Sequence, residues 1–402
     1  MKYRVTAVLF VALLMGVAFA NWRNFYQERE SWLEDLENET DLAGVVEDTD
    51  EYIQDQIFGE YVWIEAYGLI QKILQKHEID AFDLVIDKAG YLHSGNFYTG
   101  FPDDQKKIAI NVRRLSDYAA EYGSSFLFAV TPMKTVMGGT DYMGIPYNDF
   151  NLAADDVLRY LRYYNVDSLD LRKIIEESGL SYEETYYKTD HHWKTMAAFE
   201  GYAAIAGWLE GHEVSGLYRA EETTDLASYQ AVNYAKLMFG SQGRESGMIY
   251  AGIQEDFEAY FPKEDGDYSV KVGNVDDYTV REGKYSDVIL RAHLGEAVEN
   301  IYEDSCYDLM FLHGLSDYLS ITNLDNEDGL KVLLLRDSYS SPIGCFLAQN
   351  CGQLDLIYML GEDREQVLDL IEDNHYDYVI MCIYPENLSL ENLRLFEDVD
   401  YE

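Results

Sequence analysis

Apolar and polar positions vary along most of the chain in a way that predicts helices and buried strands in turn. Short apolar runs typical of strands covered on both faces occur at 126–130, 332–335, 354–359 and 378–384. Apolar side chains recur at helical spacing at 106–122, 152–164, 193–209 and 364–371. This alternation predicts an α/β fold built on a doubly wound parallel sheet.

Two regions depart from this alternation and set the predicted domain boundaries. Residues 21–80 are acidic and carry apolar stripes at helical spacing. They predict an N-terminal helical segment, either a stalk or helices packed on a main domain at 81–402. Residues 250–310 consist of short apolar runs separated by acidic and glycine turns. They predict a small β-rich insertion that forms a lid or a wall of the cleft.

Residues 1–20 have the pattern of an export signal. Lys2 and Arg4 precede an uncharged, mostly apolar run at Val5–Phe19, and Ala18-Phe19-Ala20 is a small-x-small cleavage site. The run is shorter than the roughly 20 residues of a spanning helix, which favours a cleaved signal peptide over an uncleaved membrane anchor. Both alternatives predict an exported protein, extracellular or on the outer face of the cytoplasmic membrane. An uncleaved segment 1–20 would provide membrane association.

Composition and charge narrow the classes of partner. The 402 residues are 48% hydrophobic and include only 6 prolines, which is typical of a folded chain. A formal net charge of −44 repels phosphate backbones, so no nucleic-acid partner is expected. The cysteines at 306, 345, 351 and 382 form no C-x-x-C motif and have no tight ligand spacing, so no structural zinc is expected.

A serine follows one of the predicted buried strands at the point where a helix begins. The strand 332–335 runs into the polar stretch 336–342, and Pro342 suits the first turn of the next helix. Ser338 therefore lies beside backbone donors and the positive end of a helix, a geometry that exposes a hydroxyl and stabilises an oxyanion. The pattern is common, so Ser338 becomes a candidate nucleophile only together with a base.

An acid and a base lie close together just before the predicted helix 193–209. Asp190 with His191 or His192 supplies an imidazole and a carboxylate to orient it, which serine needs because its hydroxyl is inert at neutral pH. Asp190 also suits the N-cap of that helix. A metal site is a third interpretation. It is weaker because neighbouring strand residues point to opposite faces and no further histidine or cysteine stands at ligand spacing.

The stretch Tyr187–Trp193, YKTDHHW, with Arg336-Asp337-Ser338-Tyr339-Ser340 downstream, resembles the DHHW protein family. That family is similar to the alginate O-acetylation enzymes of the SGNH hydrolase-like superfamily. Three further stretches resemble the family: an opening hairpin, a strand ending in Thr/Val-Pro-x-Lys, and a Gly-Ser-x-Gly-Arg segment, at 87–92, 130–134 and 239–247. The resemblance runs from about residue 80 to the end and is weak at 250–310.

The resemblance implies an SGNH hydrolase-like fold with a permuted motif order and a catalytic triad. Ser338 matches the nucleophile, His192 the base and Asp190 its orienter, with His191 as the alternative base. Arg336 stands where ordinary SGNH hydrolases have glycine before Asp-Ser, which leaves the first oxyanion donor open. The amide of Ser338 is one candidate, and the loop with Gly240, Ser241 and Arg244 supplies further oxyanion or substrate candidates. No metal and no cofactor are implied.

The function implied is that of an exported serine-dependent O-acyl transferase or esterase, most simply an O-acetyl one. It would act on a cell-surface or secreted polysaccharide through an acyl-serine intermediate. The implied partners are a polysaccharide acceptor and an acyl donor, the donor being a small molecule or a membrane acyl-transfer protein. The alternatives are a non-catalytic polysaccharide-binding or assembly protein that retains the fold, and a metal-dependent hydrolase.

Overall fold

The computed structural model describes residues 2–38, 49, 59–95, 104–135, 150–213, 216–312 and 316–396. The chain divides into two compact units, Met1–Ile70 and Gln71–Glu402, and the second unit begins before the predicted boundary at residue 81. Helix α1, Lys2–Asn38, lies in the first unit, and helix α2, Glu60–Ile73, ends in the second. The part of the predicted helical segment at 39–48 and 50–58 lies outside the described residues.

Helix α1 contains the predicted export signal and continues beyond it. Those of its apolar side chains that the structure describes are largely exposed, among them Val8, Leu14 and Phe19. No helix of the described residues combines the length and the hydropathy needed to cross a membrane. The signal peptide, the membrane anchor and the exported location therefore stay predictions.

The second unit contains thirteen strands among its described residues. In chain order they are β1 Glu78–Ile79, β2 Leu84–Ile86, β3 Leu92–Ser94, β4 Ser125–Val130, β5 Ser168–Asp170, β6 Tyr229–Met238, β7 Glu255–Pro262, β8 Asp267–Gly273, β9 Tyr278–Lys284, β10 Tyr318–Asn323, β11 Lys331–Arg336, β12 Gln353–Tyr358 and β13 Tyr378–Ile383. Strands β2 and β3 pair antiparallel and form the hairpin that the resemblance predicted, with β1 added beside β2.

The remaining helices surround these strands. They are α3 Gln105–Glu121, α4 Phe150–Tyr163, α5 Leu171–Ser178, α6 Tyr182–Thr185, α7 Thr195–His212, α8 Ala220–Thr223, α9 Ser241–Ser246, α10 Met248–Ala251, α11 Tyr285–Val288, α12 Leu294–Ala297, α13 Cys306–Met310, α14 Ser341–Leu347, α15 Val367–Asn374 and α16 Leu390–Leu393. Helices α3, α4, α7 and α15 occupy the stretches where helical spacing predicted them, with ends shifted by a few residues.

The main sheet has eight strands in the order β5-β4-β13-β11-β12-β10-β8-β9. The first five pair in parallel, and β10, β8 and β9 are antiparallel to their neighbours. The predicted doubly wound parallel sheet is confirmed, and an antiparallel edge extends it. Two strands of the predicted β-rich insertion at 250–310, β8 and β9, extend the main sheet, whereas its strand β7 pairs antiparallel with β6 in a separate two-stranded sheet. The role of this region as a lid or a wall of the cleft stays a prediction.

Successive residues of the central strands pack into two different cores. In β4, Phe126, Phe128 and Val130 join the core that also contains apolar residues of α3, α4 and α15. Leu127 and Ala129 join the other core, with residues of α7 and α14. Residues of a strand alternate between its faces, so helices on both faces explain the near-continuous apolar runs in the sequence.

Parallel pairing brings the carboxyl ends of β4, β11 and β13 to one edge of the sheet. In open α/β sheets, ligand sites form outside the carboxyl ends of the strands. Ser338 follows β11 at this edge, and the segment after β13 begins with Tyr384. The loops that meet at this edge are therefore the expected position of a functional site.

Candidate active site

Asp337 fixes the turn Ser338–Ser340, called the serine turn below, to the segment that follows β13. Its Oδ1 accepts a hydrogen bond from the Tyr339 amide (3.1 Å), and its Oδ2 accepts one from the Tyr384 amide (2.6 Å) and one from Asn387 Nδ2 (2.9 Å). Burial raises the pKa of this fully buried carboxyl. Ser338 opens a 3₁₀ turn, Ser338–Ser340, and stays half-buried, so its hydroxyl is held at the rim of the sheet.

Asp190, His192 and Ser338 form a continuous chain of hydrogen bonds. His192 Nδ1 lies 2.6 Å from Asp190 Oδ1, and His192 Nε2 lies 2.9 Å from Ser338 Oγ. An ionised carboxylate only accepts, so Nδ1 carries the proton and Nε2 is free to accept the serine proton. The three residues that the sequence resemblance assigned to a triad thus meet, although 146 positions separate His192 from Ser338.

The Asp190 carboxylate is held from three directions. Its Oδ1 also accepts the His192 amide (2.8 Å), and its Oδ2 accepts the Ser241 amide (2.9 Å). A Cβ on Gly240 would lie 2.2 Å from the Asp190 Cβ, so only glycine allows this approach. Burial alone would raise the pKa of Asp190. The imidazoles of His192 and His191 and the hydrogen bonds outweigh burial and hold the pKa well below its usual range.

His192 is buried between the carboxylate and an aromatic ring. The Tyr307 ring stacks on the imidazole with centroids 4.1 Å apart and planes at 16°. Burial lowers the pKa of His192, but the charge and hydrogen bond of Asp190 outweigh it and raise the pKa above the ordinary 6.5. Tyr307 was missed by sequence reasoning because it lies in the region where the family resemblance is weak, and no local motif marks it.

The tryptophan of the Asp-His-His-Trp motif anchors the two motifs to each other. Trp193 is fully buried, and its Nε1 donates to the carbonyl oxygen of Tyr339 (2.9 Å). In return, the Tyr339 hydroxyl donates to the carbonyl oxygen of His191 (2.8 Å). A Cβ on Gly201 would lie 2.8 Å from the Trp193 ring, so this glycine makes room for the indole. The conformations of residues 187–193, called the histidine loop below, and of the serine turn therefore depend on each other.

His191 lies beside Asp190 and His192 and contacts a different partner. Its Nδ1 lies 3.3 Å from Ser241 Oγ and 3.7 Å from Asp190 Oδ1, whereas His192 contacts Ser338. Partial burial and the neighbouring His192 imidazole lower the pKa of His191. The geometry therefore favours His192 over the alternative base.

The predicted oxyanion candidates lie on the aspartate side of the site. The amide of Gly240 donates to Thr189 Oγ1 (3.1 Å), and that of Ser241 donates to Asp190, so both donors are already engaged. Arg244 Nη1 donates to the carbonyl oxygen of Glu303 (2.9 Å). The Ser241 amide therefore holds the Asp190 carboxylate and the Gly240 amide holds Thr189, while the oxyanion or substrate role of Gly240, Ser241 and Arg244 stays a prediction. The sequence could not show this because it does not reveal which backbone amides are free.

The Ser338 amide remains a candidate oxyanion donor. It donates no hydrogen bond to any residue that the structure describes. Arg336, in the place of the usual glycine, is fully buried below the turn. Its guanidinium donates to the Ser316 carbonyl oxygen (2.8 Å) and to Ser341 Oγ (3.3 Å), and burial lowers its pKa. Arg336 therefore supports the turn from inside the fold.

The metal interpretation rests on Asp190, His191 and His192, whose ligand atoms lie within 4.8 Å of one another. Both carboxylate oxygens of Asp190 and both ring nitrogens of His192 already have hydrogen-bond partners within the protein. A metal ion would have to displace Ser338 or the Ser241 amide. The donor set therefore fits a proton-transfer chain better than a metal centre.

Residues 96–235 match the family model described as SGNH hydrolase-like domain, acetyltransferase AlgX, a stretch that contains Asp190 and His192 and ends before Ser338. No curated protein matches the chain significantly in sequence. Among solved structures, PatB1 of Bacillus cereus is similar, with 21% identity over 78% of this chain and 99% of that chain and a TM-score of 0.62.

A DHHW family protein from Eubacterium siraeum is also similar, with 16% identity over 79% of this chain and 96% of that chain and a TM-score of 0.58. The O-acetyltransferase domain of Pseudomonas putida AlgJ matches at 13% identity over 79% of this chain and 94% of that chain, with a TM-score of 0.41. The predicted resemblance is thus confirmed: the chain has the SGNH hydrolase-like fold and is similar to DHHW and AlgX-type proteins.

Proposed function

We propose that the chain is a serine-dependent O-acyl, specifically O-acetyl, transferase or esterase that acts on a polysaccharide through an acyl-serine intermediate. The observation that carries the proposal is the hydrogen-bond chain from Asp190 through His192 to Ser338, with distances of 2.6 and 2.9 Å. A nucleophile, a base and an orienting carboxylate in this order are the parts that acyl transfer requires.

Acylation begins when His192 Nε2 takes the proton of Ser338 while Oγ attacks the carbonyl carbon of the donor. The negative charge moves to the carbonyl oxygen, to which the Ser338 amide donates a hydrogen bond in this proposal. Asp190 stabilises the imidazolium that forms and remains ionised itself. The imidazolium then protonates the leaving group, its bond to the acyl carbon breaks, and the acyl group stays on Ser338.

Deacylation reverses the roles. A hydroxyl of the acceptor loses its proton to His192 and attacks the acyl-serine, and Ser338 leaves with the returned proton. A sugar hydroxyl gives the O-acylated polysaccharide, and water gives the free acid. The same residues serve both outcomes, so the choice depends on whether the bound acceptor excludes water.

The resemblance to alginate O-acetylation enzymes and the match to the AlgX model support a polysaccharide as the acceptor. The acyl donor is a small molecule or a membrane acyl-transfer protein. We also propose that the protein is exported and acts extracellularly or on the outer face of the cytoplasmic membrane, where it would meet such an acceptor. The pattern of residues 1–20 supports this location.

The test is release of acetate from p-nitrophenyl acetate by the full chain, with Ser338→Ala and His192→Ala as comparisons. We expect both variants to lose activity by about 10³-fold or more, because each removes an obligatory part of one unit. Equal rates in the wild type and both variants would refute the proposed serine-dependent enzyme activity. That result would favour a non-catalytic polysaccharide-binding or assembly protein with the same fold.

A further inference from the structure

The backbone that carries Asp190 contacts a carboxylate on its amide side. Glu255, the first residue of β7, accepts hydrogen bonds from the amides of Lys188 (2.8 Å) and Thr189 (2.9 Å) through its Oε2. The same oxygen accepts one from Thr189 Oγ1 (3.0 Å). An ionised acceptor makes stronger hydrogen bonds than a neutral one, so this half-buried side chain holds residues 188 and 189 firmly.

The carbonyl side of the same backbone contacts an ammonium group. Lys134 Nζ donates to the carbonyl oxygens of Asp190 (2.6 Å) and Lys188 (3.3 Å) and to Gln242 Oε1 (3.0 Å). These contacts use all the donors that an ammonium group has. The Lys134 side chain is only 2% exposed, and burial lowers its pKa to about 7. A charge this deeply buried is costly unless its surroundings satisfy it.

Lys134 also reaches the second support of the Asp190 carboxylate. Gln242 lies in the first turn of α9, directly after Ser241, whose amide donates to Asp190 Oδ2. One ammonium group therefore fixes both the main chain of Asp190 and the helix that holds its side chain. Lys134 follows β4 and Glu255 begins β7, so two distant parts of the chain converge on residues 188–190.

We propose that Lys134 and Glu255 are positioning residues that clamp residues 188–190 by hydrogen bonds from opposite sides and thereby align Asp190 and His192 with Ser338. The catalytic consequence rests on the proposed function. The alignment of Asp190 and His192 by Lys134 and Glu255 does not rest on it, because this alignment is a matter of geometry and is the same for any substrate. Misplacement of a catalytic group by about 1 Å can cost about 10²-fold in rate, so a clamp far from the reacting atoms can still control the reaction.

The first test compares Lys134→Met and Glu255→Gln with the wild type in p-nitrophenyl acetate hydrolysis. We expect Lys134→Met to lower kcat by about 10²-fold with KM within about twofold, because the reacting groups move and the acetyl site does not. Glu255→Gln keeps the shape and one acceptor oxygen, so a smaller loss of about tenfold is expected. Lys263→Met is the matched control: it removes an exposed lysine-to-carbonyl hydrogen bond, to Ala227, and should leave kcat unchanged.

The second test reads the alignment of His192 without any substrate. The imidazole proton signals of His192 are titrated by NMR in the wild type and in Lys134→Met. Loss of a nearby positive charge alone would raise the pKa of His192, whereas loss of the aligned Asp190 carboxylate would lower it toward 6.5. We expect it to fall. A merely structural role would leave the titration unchanged in a Lys134→Met variant that remains folded by circular dichroism.

An unchanged or raised His192 pKa in folded Lys134→Met, or a kcat within about threefold of the wild type, would overturn the clamp. If Lys134→Met does not fold, the isosteric Glu255→Gln decides by the loss of kcat at an unchanged KM, because loss of the Glu255 charge would lower the His192 pKa by itself. A wild type without esterase activity would refute the proposed function alone. The NMR titration would then still decide whether Lys134 aligns Asp190 with His192.

Discussion

The indole nitrogen of Trp193 donates a hydrogen bond to the carbonyl oxygen of Tyr339, 2.9 Å away, and so joins the residue after His192 to the residue after Ser338. Both residues are buried, so neither group can turn to water if the partner is lost. The histidine loop and the serine turn are thereby held in register by a contact one residue beyond His192 and one residue beyond Ser338.

We expect Trp193→Phe to lower both stability and activity. It keeps an aromatic ring but leaves the buried Tyr339 carbonyl without its donor, which costs about 1–3 kcal/mol. The free energy of unfolding by urea should fall by that amount, and kcat should fall with it because the serine turn loses its tie. A normal kcat in a variant that is destabilised as expected would show that the register of the two motifs does not depend on this bond.

Replacing the orienting carboxylate should affect the rate far more than the fold. Asp190→Asn keeps the size of the side chain but removes the charge that stabilises the imidazolium and fixes the tautomer. We expect kcat to fall by about 10³–10⁴-fold. The matched control is Asp256→Asn on the protein surface, where the carboxylate accepts hydrogen bonds from Asn233 and Lys236. Comparable losses in the two variants would argue against a special role for Asp190.

The pH profile of kcat/KM should reveal the raised pKa of His192. Only the neutral imidazole accepts the serine proton, so activity should rise with pH through an apparent pKa above 6.5. The negative charge of Asp190 favours the protonated imidazole, so the neutral imidazole that acts as the base forms only at a higher pH. An acidic limb centred below 6.5 in the wild type would contradict this environment of His192.

The ring of Tyr307 should also influence the pH at which activity rises, because it stacks on the imidazole of His192. An aromatic face stabilises a cation stacked on it, so Tyr307→Leu should move the acidic limb to lower pH and reduce kcat. Tyr307→Phe keeps the ring and should preserve the profile. A shift of equal size in both variants would assign the effect to the hydroxyl group instead of the stacked ring.

His191→Ala separates the two histidines. His191 contacts Ser241, and His192 contacts Ser338, so His191→Ala should retain most of the activity that His192→Ala loses. Hydrolysis of p-nitrophenyl acetate by the two purified variants provides the comparison. Equal losses would leave the identity of the base open.

The sequence predicted those parts of the site that local motifs carry. Asp190 and His192 lie in one short string, and Ser338 follows a run that reads as a buried strand, so residue pattern and family resemblance were sufficient. The central sheet was predictable for a similar reason: Leu333 and Leu334 enter opposite cores, and such burial on both faces leaves a continuous apolar run.

The parts that were missed depend on contacts between distant segments. Glu255 and Tyr307 lie in the region interpreted as an insertion, where no spacing relates them to the motif at 187–193. Their roles appear only once β7 and α13 pack against that loop. The antiparallel edge strand β9 was hard to place for a different reason: its mostly exposed residues give no apolar pattern that would assign it to the main sheet.

The most direct test of the central claim is the mass of the enzyme after rapid quenching of its reaction with p-nitrophenyl acetate. If Ser338 is the nucleophile, the wild type should gain the mass of one acetyl group, located by fragmentation on the peptide that contains Ser338. Ser338→Ala should gain none. An acetyl group on another residue that turns over at the same rate in Ser338→Ala would contradict the account.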